Sequence, residues 1–491
     1  MLKGSPLIAP AGELICLGVL LAAYLLTDAM SGVEKIEIID LVGPVWLTGV
    51  LCVSALRMSL LDSGAVWTAL FWFRVSAAVY FGAGALVPLV ANAETRLYLE
   101  ATYLFFNDEI AKLNVIVVVG CLTVLVSGNV CLLFARGAPK IEHQPNPPKN
   151  EPVGRHLLTA GLFFLILGST VKYTFTVPQM LGLTSFVLPG AVGAIGNFTY
   201  AAVFFLTAWS YENAKGAFPL IVLFVAMELL IGVLTLTKTE VLLVLMMFLL
   251  AFLRRQITLG RLVIIAAIMI LCYVTIQPII DYGRIEQLRR YAGYEGGDLA
   301  ERLDILRLAI DNYSAAAKDA GGAQASLVRI TYVNTAVFAV RQYDSGHPGH
   351  SLALLLSVFV PRFLWPDKPI ITQVGTDFNF LATGISTSAS SPGLFAEAYW
   401  NFGWPGVVLL MIPLGMILAF LSRYALTVFR REQWLYFPVV ILAIRIGFRT
   451  DGFYVGDVVG GLVILVGLHI SLKTLDRFVL PIFWRSATAR T

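Results

Sequence analysis

Charge is scarce in this sequence. Asp, Glu, Lys and Arg make up 13% of its 491 residues, against about a quarter in ordinary soluble domains. That scarcity excludes a soluble globular chain. The formal net charge is only +4, with no clustered basic face of the kind nucleic acid requires, so no nucleic-acid partner is expected. The five cysteines (Cys16, Cys52, Cys121, Cys131 and Cys272) all lie in apolar blocks. None stands in a loop, which argues against a disulfide framework or a thiolate metal site and for small core hydrophobes. The close histidine pair His347-Pro-Gly-His350 encloses a turn dipeptide and reads as a turn rather than a metal site. There is no Walker motif, Gly-rich dinucleotide fingerprint or HExxH, and no nucleophile elbow. An internal repeat, expected of many transporters, is also missing.

What the chain has is apolar length. Hydrophobic residues reach 58% and fall in blocks long enough to cross a bilayer, about 20 residues each. The expected fold class is an all-α polytopic membrane protein with about twelve transmembrane helices. They are placed at roughly 12–28, 40–61, 65–91, 113–134, 156–171, 184–208, 217–236, 239–254, 262–280, 393–421, 434–449 and 452–472. The run Leu14 to Leu26 after Lys3 is taken as an uncleaved first helix, because many apolar blocks follow it.

Lys and Arg in the connecting segments set the orientation. Arg136, Lys140, Lys149 and Arg155 lie in one loop; Arg254, Arg255 and Arg261 in another; Arg423, Arg430 and Arg431 in a third; and Lys473, Arg477, Arg485 and Arg490 follow the last span. With twelve spans all fall on one side together with Lys3, so both termini are expected in the cytoplasm of a multi-pass inner-membrane protein. Three sections result: 1–280 with helices one to nine, 281–392 as a large extracytoplasmic (periplasmic) loop, and 393–491 with helices ten to twelve and a cytoplasmic tail.

The outer loop is not featureless. Asp298-Leu-Ala-Glu301 reads as a helix N-cap with its returning acid. Leu299, Leu303, Leu306 and Ile310 recur at helical spacing, which predicts an amphipathic helix on the membrane face or on the bundle. A second helix is predicted over 325–342, carrying Arg329 and Arg341, and an interfacial or re-entrant one over 351–364. The small polar run Thr383 to Ser391 reads as a lid or substrate-contacting loop.

Charges inside apolar spans are costly and default to functional candidates. Arg74 and Glu228 are two. Arg445 and Arg449, four apart, share a helix face, and like charges so placed call for an anion, either a ligand or Asp451 and Asp457 nearby. On the outer side stand Lys238 and Glu240 in a tight turn, and Lys172, which reads as a snorkelling cation. Arg362 and Lys368 flank Leu-Trp-Pro-Asp among Pro361, Trp365, Pro366 and Pro369. Proline fixes φ, so these cations are held before a ligand arrives. Glu397 falls at the outer start of helix ten, where a carboxylate favours the helix N-terminus or orients a substrate hydroxyl. Tyr399, Trp400, Trp404 and Trp365 offer aromatic faces to sugars or to the membrane interface.

From Pro361-Arg-Phe-Leu-Trp-Pro-Asp-Lys-Pro369, through the Ser/Thr run, to Glu397-Ala-Tyr-Trp-Asn-Phe-Gly-Trp-Pro-Gly406, the chain resembles the oligosaccharide repeat-unit polymerases, the O-antigen and exopolysaccharide (Wzy-type) polymerases of bacterial envelopes. The turn Leu236-Thr-Lys-Thr-Glu240 is similar to that family's cation-bearing turn, with Thr-Lys-Thr where relatives often carry glycine. The resemblance spans about 230 to 460. It implies extracytoplasmic, metal-independent glycosyl transfer from an undecaprenyl-diphosphate-linked oligosaccharide, with no cofactor and no nucleotide sugar. Its implied partners are that lipid-linked substrate, membrane lipid, a chain-length regulator and other export-complex proteins. The residues expected to carry catalysis are Glu397, Arg362, Arg445 and Arg449. Those expected to bind diphosphate or sugar are Lys368, Lys238, Arg329, Arg341, Arg74, Asp451, Trp365 and Tyr399. Arg362, Lys368, Arg445 and Arg449 are expected to converge on one cavity with Glu397 on its rim. An O-antigen ligase-like transferase, a lipid-linked oligosaccharide flippase and a non-catalytic export scaffold remain alternatives.

The topology is testable. A reporter fused after Gly321 should behave as extracytoplasmic and one at Asn146 as cytoplasmic; the same behaviour at both sites would rule the twelve-span scheme out.

Overall fold

The computed structural model describes residues 6–27, 37–103, 107–134, 155–254 (save 182, 185, 187 and 189), 257–291, 299–313, 323–369 (save 361–363 and 366), 373–386 and 389–478. The described residues form helices and no strand. Eight helices among them are long and apolar enough to cross a membrane: Ile38–Leu61, Ala69–Val90, Glu109–Phe134, His156–Met180, Lys215–Leu234, Leu259–Tyr291, Leu394–Arg430 and Tyr454–Arg477. The chain is therefore a polytopic helical membrane protein by architecture. The other four expected segments also hold helix, but shorter: Ala11–Leu26, Phe198–Asn213, Lys238–Ala251 and Phe437–Phe448.

Two compact units divide the chain. Unit 1 is Met1–Lys140, Leu327–Glu432 and Val439–Thr491; unit 2 is Ile141–Ser326 with Gln433–Pro438. This division cuts across the three sections drawn from the sequence.

Unit 1 is organised by the long helix Leu394–Arg430, which packs along Asn107–Phe134. Small residues let the two backbones approach, as in other membrane helix pairs. A Cβ on Gly415 would stand 2.1 Å from Ser127 Oγ and 2.3 Å from the Val124 carbonyl oxygen. The long helix kinks at Gly403, whose φ of 64° lies outside the helical range. Pro405 follows, with no N–H to donate. The kink leaves the Trp400 carbonyl to accept from Gly349 N at 2.9 Å.

Deep in unit 1 sits an ion pair. Arg74 Nε and Nη2 lie 2.8 and 3.0 Å from the two oxygens of Glu13, and Ser54 Oγ donates to Glu13 Oε2 at 2.6 Å. Arg74 Nη1 donates to Leu70 O, and its side chain is 1% exposed. Arg74 was a substrate-binding candidate on sequence; its donors are instead taken up by Glu13, Ser54 and a carbonyl. Glu13 lies in the first turn of its helix, so it reads as a helix-start acid and conceals its role as counter-ion.

Unit 2 has its own buried charges. Lys172 Nζ lies 2.8 Å from Glu228 Oε2 and 2.7 Å from Glu240 Oε2, and 5.5 Å over the Tyr200 ring. The Tyr173 hydroxyl donates to Glu228. Lys172 is thus no snorkelling cation: only 4% exposed, it neutralises a carboxylate from each of two neighbouring helices. An aromatic stack of Phe164, Phe204, Phe205 and Phe437 fills the same unit.

The helix predicted after residue 298 runs Leu299–Asp311; Asp298 lies outside the described residues. It turns Arg302, Ile305 and Ala309 inward and leaves Leu299, Leu303 and Ile310 exposed. The helix expected over 325–342 is two, Ala323–Ile330 and Val333–Asp344, broken at Thr331–Tyr332. The expected helix over 351–364 is instead a pair of 3₁₀ turns, Ser351–Leu354 and Leu356–Phe359. Both serines are buried there, and each bonds locally or inward, which competes with α-helical pairing. The polar run after Thr383 begins at Gly384 and is tied back by Ser390 N to Gly375 O at 3.1 Å; residues 387–388 lie outside the described residues.

Replacing Arg74 by Met strands Glu13 without a counter-charge and is expected to cost about 3–5 kcal/mol. The check is the midpoint of detergent-solubilised protein in a sodium dodecyl sulfate titration. Arg74→Met with Glu13→Gln should recover most of the loss, and an unchanged midpoint in the single variant would refute the pairing.

Candidate functional site

The helix Phe437–Phe448 ends in a short loop, and a π-helical turn, Tyr454–Gly460, leads into the last helix. Wide turns of this kind concentrate at functional sites. A second one, Ala78–Gly82, supplies Tyr80, whose ring stands 5.1 Å from Tyr332 and 5.9 Å from Phe448. The loop is stitched down on several sides. Ser76 Oγ lies 2.5 Å from both Phe448 O and Thr450 Oγ1, and Leu394 N donates to Thr450 O at 2.9 Å.

Arg449 stands at the mouth of this loop with its side chain 38% exposed. Its Nε is 3.0 Å from Asp457 Oδ1 and 3.6 Å from Asp451 Oδ1, and Nη2 donates to Asp457 Oδ2 at 3.3 Å. Phe453 N also donates to Asp457 Oδ2. Asp451 is buried, and Tyr332 Oη donates to its Oδ2 at 3.1 Å. Burial and the nearby Asp457 charge push the Asp451 carboxyl above the usual range, against the pull of Arg449. Burial and the Asp451 charge likewise raise the Tyr332 phenol. Arg445 is exposed one turn before Arg449, and Arg449 N donates to its carbonyl. The two residues are thus about one helical turn apart in the chain.

Glu397 does not stand on a rim. It is wholly buried. Oε1 accepts from Ser351 Oγ at 2.6 Å and Oε2 from Tyr454 N at 2.5 Å. Asn401 Nδ2 in turn donates to Ser351 Oγ at 2.8 Å. Both carboxylate oxygens are therefore engaged in holding the 351–354 turn and the start of the π-helical turn to the long helix. The reason is depth: Glu397 lies three residues inside a helix whose first turn is covered by two other segments.

The remaining candidates are distributed. Arg362 lies outside the described residues. Lys368 Nζ donates to Val360 O at 2.9 Å, at the end of the turns that pack on 454–460. Trp365 and Arg329 are exposed. Arg341 pairs with Glu109. Tyr399 Oη donates to Asp344 Oδ1 at 2.9 Å, and Lys112 Nζ pairs with Asp344 Oδ2 at 2.6 Å while lying 4.9 Å over the Tyr399 ring. This second polar group lies at the far end of the helix that begins after Tyr332, about 18 Å along its axis. In unit 2, Lys238 pairs with Asp281 at 2.6 Å. The structure thus groups Arg449, Asp451 and Asp457, links Arg445 to them only through its backbone carbonyl, and does not bring Arg341, Tyr399 or Arg74 to them. Tyr332, Tyr80 and Ser351 were missed on sequence. A break at Thr331-Tyr332 has no Gly or Pro to announce it.

Comparison with models of known protein families, with curated proteins and with solved structures finds no match for this chain.

Glu397→Gln replaces one acceptor with a donor that faces another donor. It is expected to lower stability by about 1–3 kcal/mol and to speed hydrogen–deuterium exchange at 351–354 and 449–457. Exchange rates equal to wild type in both segments would contradict the bracing role.

Proposed function

We propose that this chain polymerises undecaprenyl-diphosphate-linked oligosaccharide repeat units into O-antigen or exopolysaccharide at the outer face of a bacterial inner membrane. The reading takes the twelve segments as spans, the termini as cytoplasmic and the 281–392 section as extracytoplasmic. One observation carries it. A half-exposed arginine is fixed at the end of an apolar helix by two carboxylates, with a second exposed arginine one turn away. The leaving group of such a transfer is a diphosphate at the bilayer surface. Guanidinium groups bind phosphate oxygens bidentately and remain charged at any physiological pH. Asp457 and Asp451 hold Arg449 in place before the anion arrives, which lowers the entropy lost on binding.

The exposed stripe Leu299, Leu303 and Ile310 supports a loop that lies on the membrane, as an enzyme of lipid-linked substrates requires. The motif resemblance over 361–369 and 397–406 points to the same chemistry. A flippase needs charges free along a path through the bilayer; Arg74, Lys172 and Glu228 are each paired inside their units, which speaks against that alternative.

Lysine keeps the charge and loses the planar fork. Arg449→Lys and Arg445→Lys are expected to leave protein abundance normal while shortening the polymer to single repeat units, read from an electrophoretic ladder of surface glycan. Full-length ladders in both variants would overturn the diphosphate role.

A further inference from the structure

Buried polar side-chain atoms seldom lack a hydrogen-bond partner, and each exception asks for an explanation. Two such atoms among the described residues lie in one loop, two positions apart: Arg449 Nε and Asp451 Oδ1. Arg449 Nε is near both acids yet poorly aligned for a hydrogen bond to either.

The three acids of this region differ in what they have left to offer. Glu397 has both oxygens engaged. Asp457 is taken up by Arg449 and Phe453 N. Asp451 accepts from Tyr332 at Oδ2, while Oδ1 lies 3.6 Å from the guanidinium, beyond hydrogen-bond reach, and is buried without a partner.

We propose that Asp451 Oδ1 is the proton acceptor of the transfer and receives the attacking hydroxyl of the acceptor sugar. This inference rests on the glycosyl-transfer reading above. Asp457 keeps the Arg449 guanidinium in place for the diphosphate, and Asp451 Oδ1, 3.6 Å from it, is left to the acceptor hydroxyl. The acceptor O–H proton passes to Oδ1 as the acceptor oxygen bonds to the anomeric carbon of the donor. The bond from that carbon to the diphosphate oxygen breaks, and its electron pair leaves on the diphosphate, facing Arg449 and Arg445. Asp451 then returns the proton to water. A carboxyl held above the usual range by burial is a better base for a hydroxyl than an exposed one.

The test uses the purified full chain and membrane vesicles from host cells lacking its gene, which carry the native lipid-linked repeat units. Binding of undecaprenyl diphosphate alone is measured in parallel. Asp451→Asn is expected to slow polymerisation about 100-fold or more, well beyond any change in undecaprenyl diphosphate binding. The wild-type rate should fall on an acidic limb, because protonated Asp451 accepts nothing. Asp451→Glu should retain part of the rate with that limb displaced, which separates a proton role from a folding defect. An Asp451→Asn rate above about a tenth of wild type, an undisplaced limb in Asp451→Glu, or equal loss of diphosphate binding and rate in Asp451→Asn overturns the assignment. Wild-type protein that makes no polymer from these vesicles overturns the glycosyl-transfer reading itself, and this inference with it.

Discussion

No cation among the described residues stands beside the buried carboxylate of Glu397, and three segments of unit 1 depend on it. One oxygen takes the hydroxyl of Ser351 and the other the backbone N–H of Tyr454. Through the first it holds the 3₁₀ turns at 351–359; through the second it holds the start of the π-helical turn. The loop carrying Arg449 and Asp451 lies between that turn and the helix Phe437–Phe448, so its shape follows from the same contact. A hydroxyl and an amide are modest donors individually. Together they satisfy a group that would otherwise be among the most costly to bury.

Both units solve the problem of intramembrane charge in the same manner. Arg74 meets Glu13 with two hydrogen bonds and a serine in support; Lys172 meets Glu228 and Glu240 with a tyrosine in support. Each acid comes from a helix remote in sequence from its base, so each pair fixes one helix against another within its unit. Arg449 is different. Its partners are eight and two residues away, which shapes a loop rather than joining helices, and its guanidinium stays partly open. That contrast separates the charges that join helices from the one that stays open at a loop.

Much of the architecture was legible in apolar run length. The twelve segments read from hydropathy all contain helix, and the Leu299–Asp311 helix follows from its periodicity. Other features were not legible for identifiable reasons. Thr331-Tyr332 breaks a helical pattern without a glycine or proline. Glu13 is indistinguishable in one sequence from any acid in a first turn. The 351–364 run has the composition of a helix, but a serine committed to a distant carboxylate redirects its backbone. At the site, the acids accompanying Arg449 were visible two and eight residues on. Which oxygen remains uncommitted is a matter of side-chain geometry, which no spacing encodes.

The kink at Gly403 also changes what kind of surface the long helix offers. An unbroken helix keeps its carbonyls for itself and meets neighbours only through side chains. Here the Trp400 carbonyl faces sideways to Gly349 N, while the Trp400 indole donates to His347 O and Asn401 Oδ1 accepts from Leu352 N. The 347–352 stretch is therefore fastened largely by main-chain groups that every residue but proline possesses. Such a seam fixes the stretch by its backbone and concentrates the demand on side-chain identity at two positions: Gly349, where a Cβ would stand 2.5 Å from the Trp400 ring, and Ser351, whose hydroxyl is bonded to Glu397.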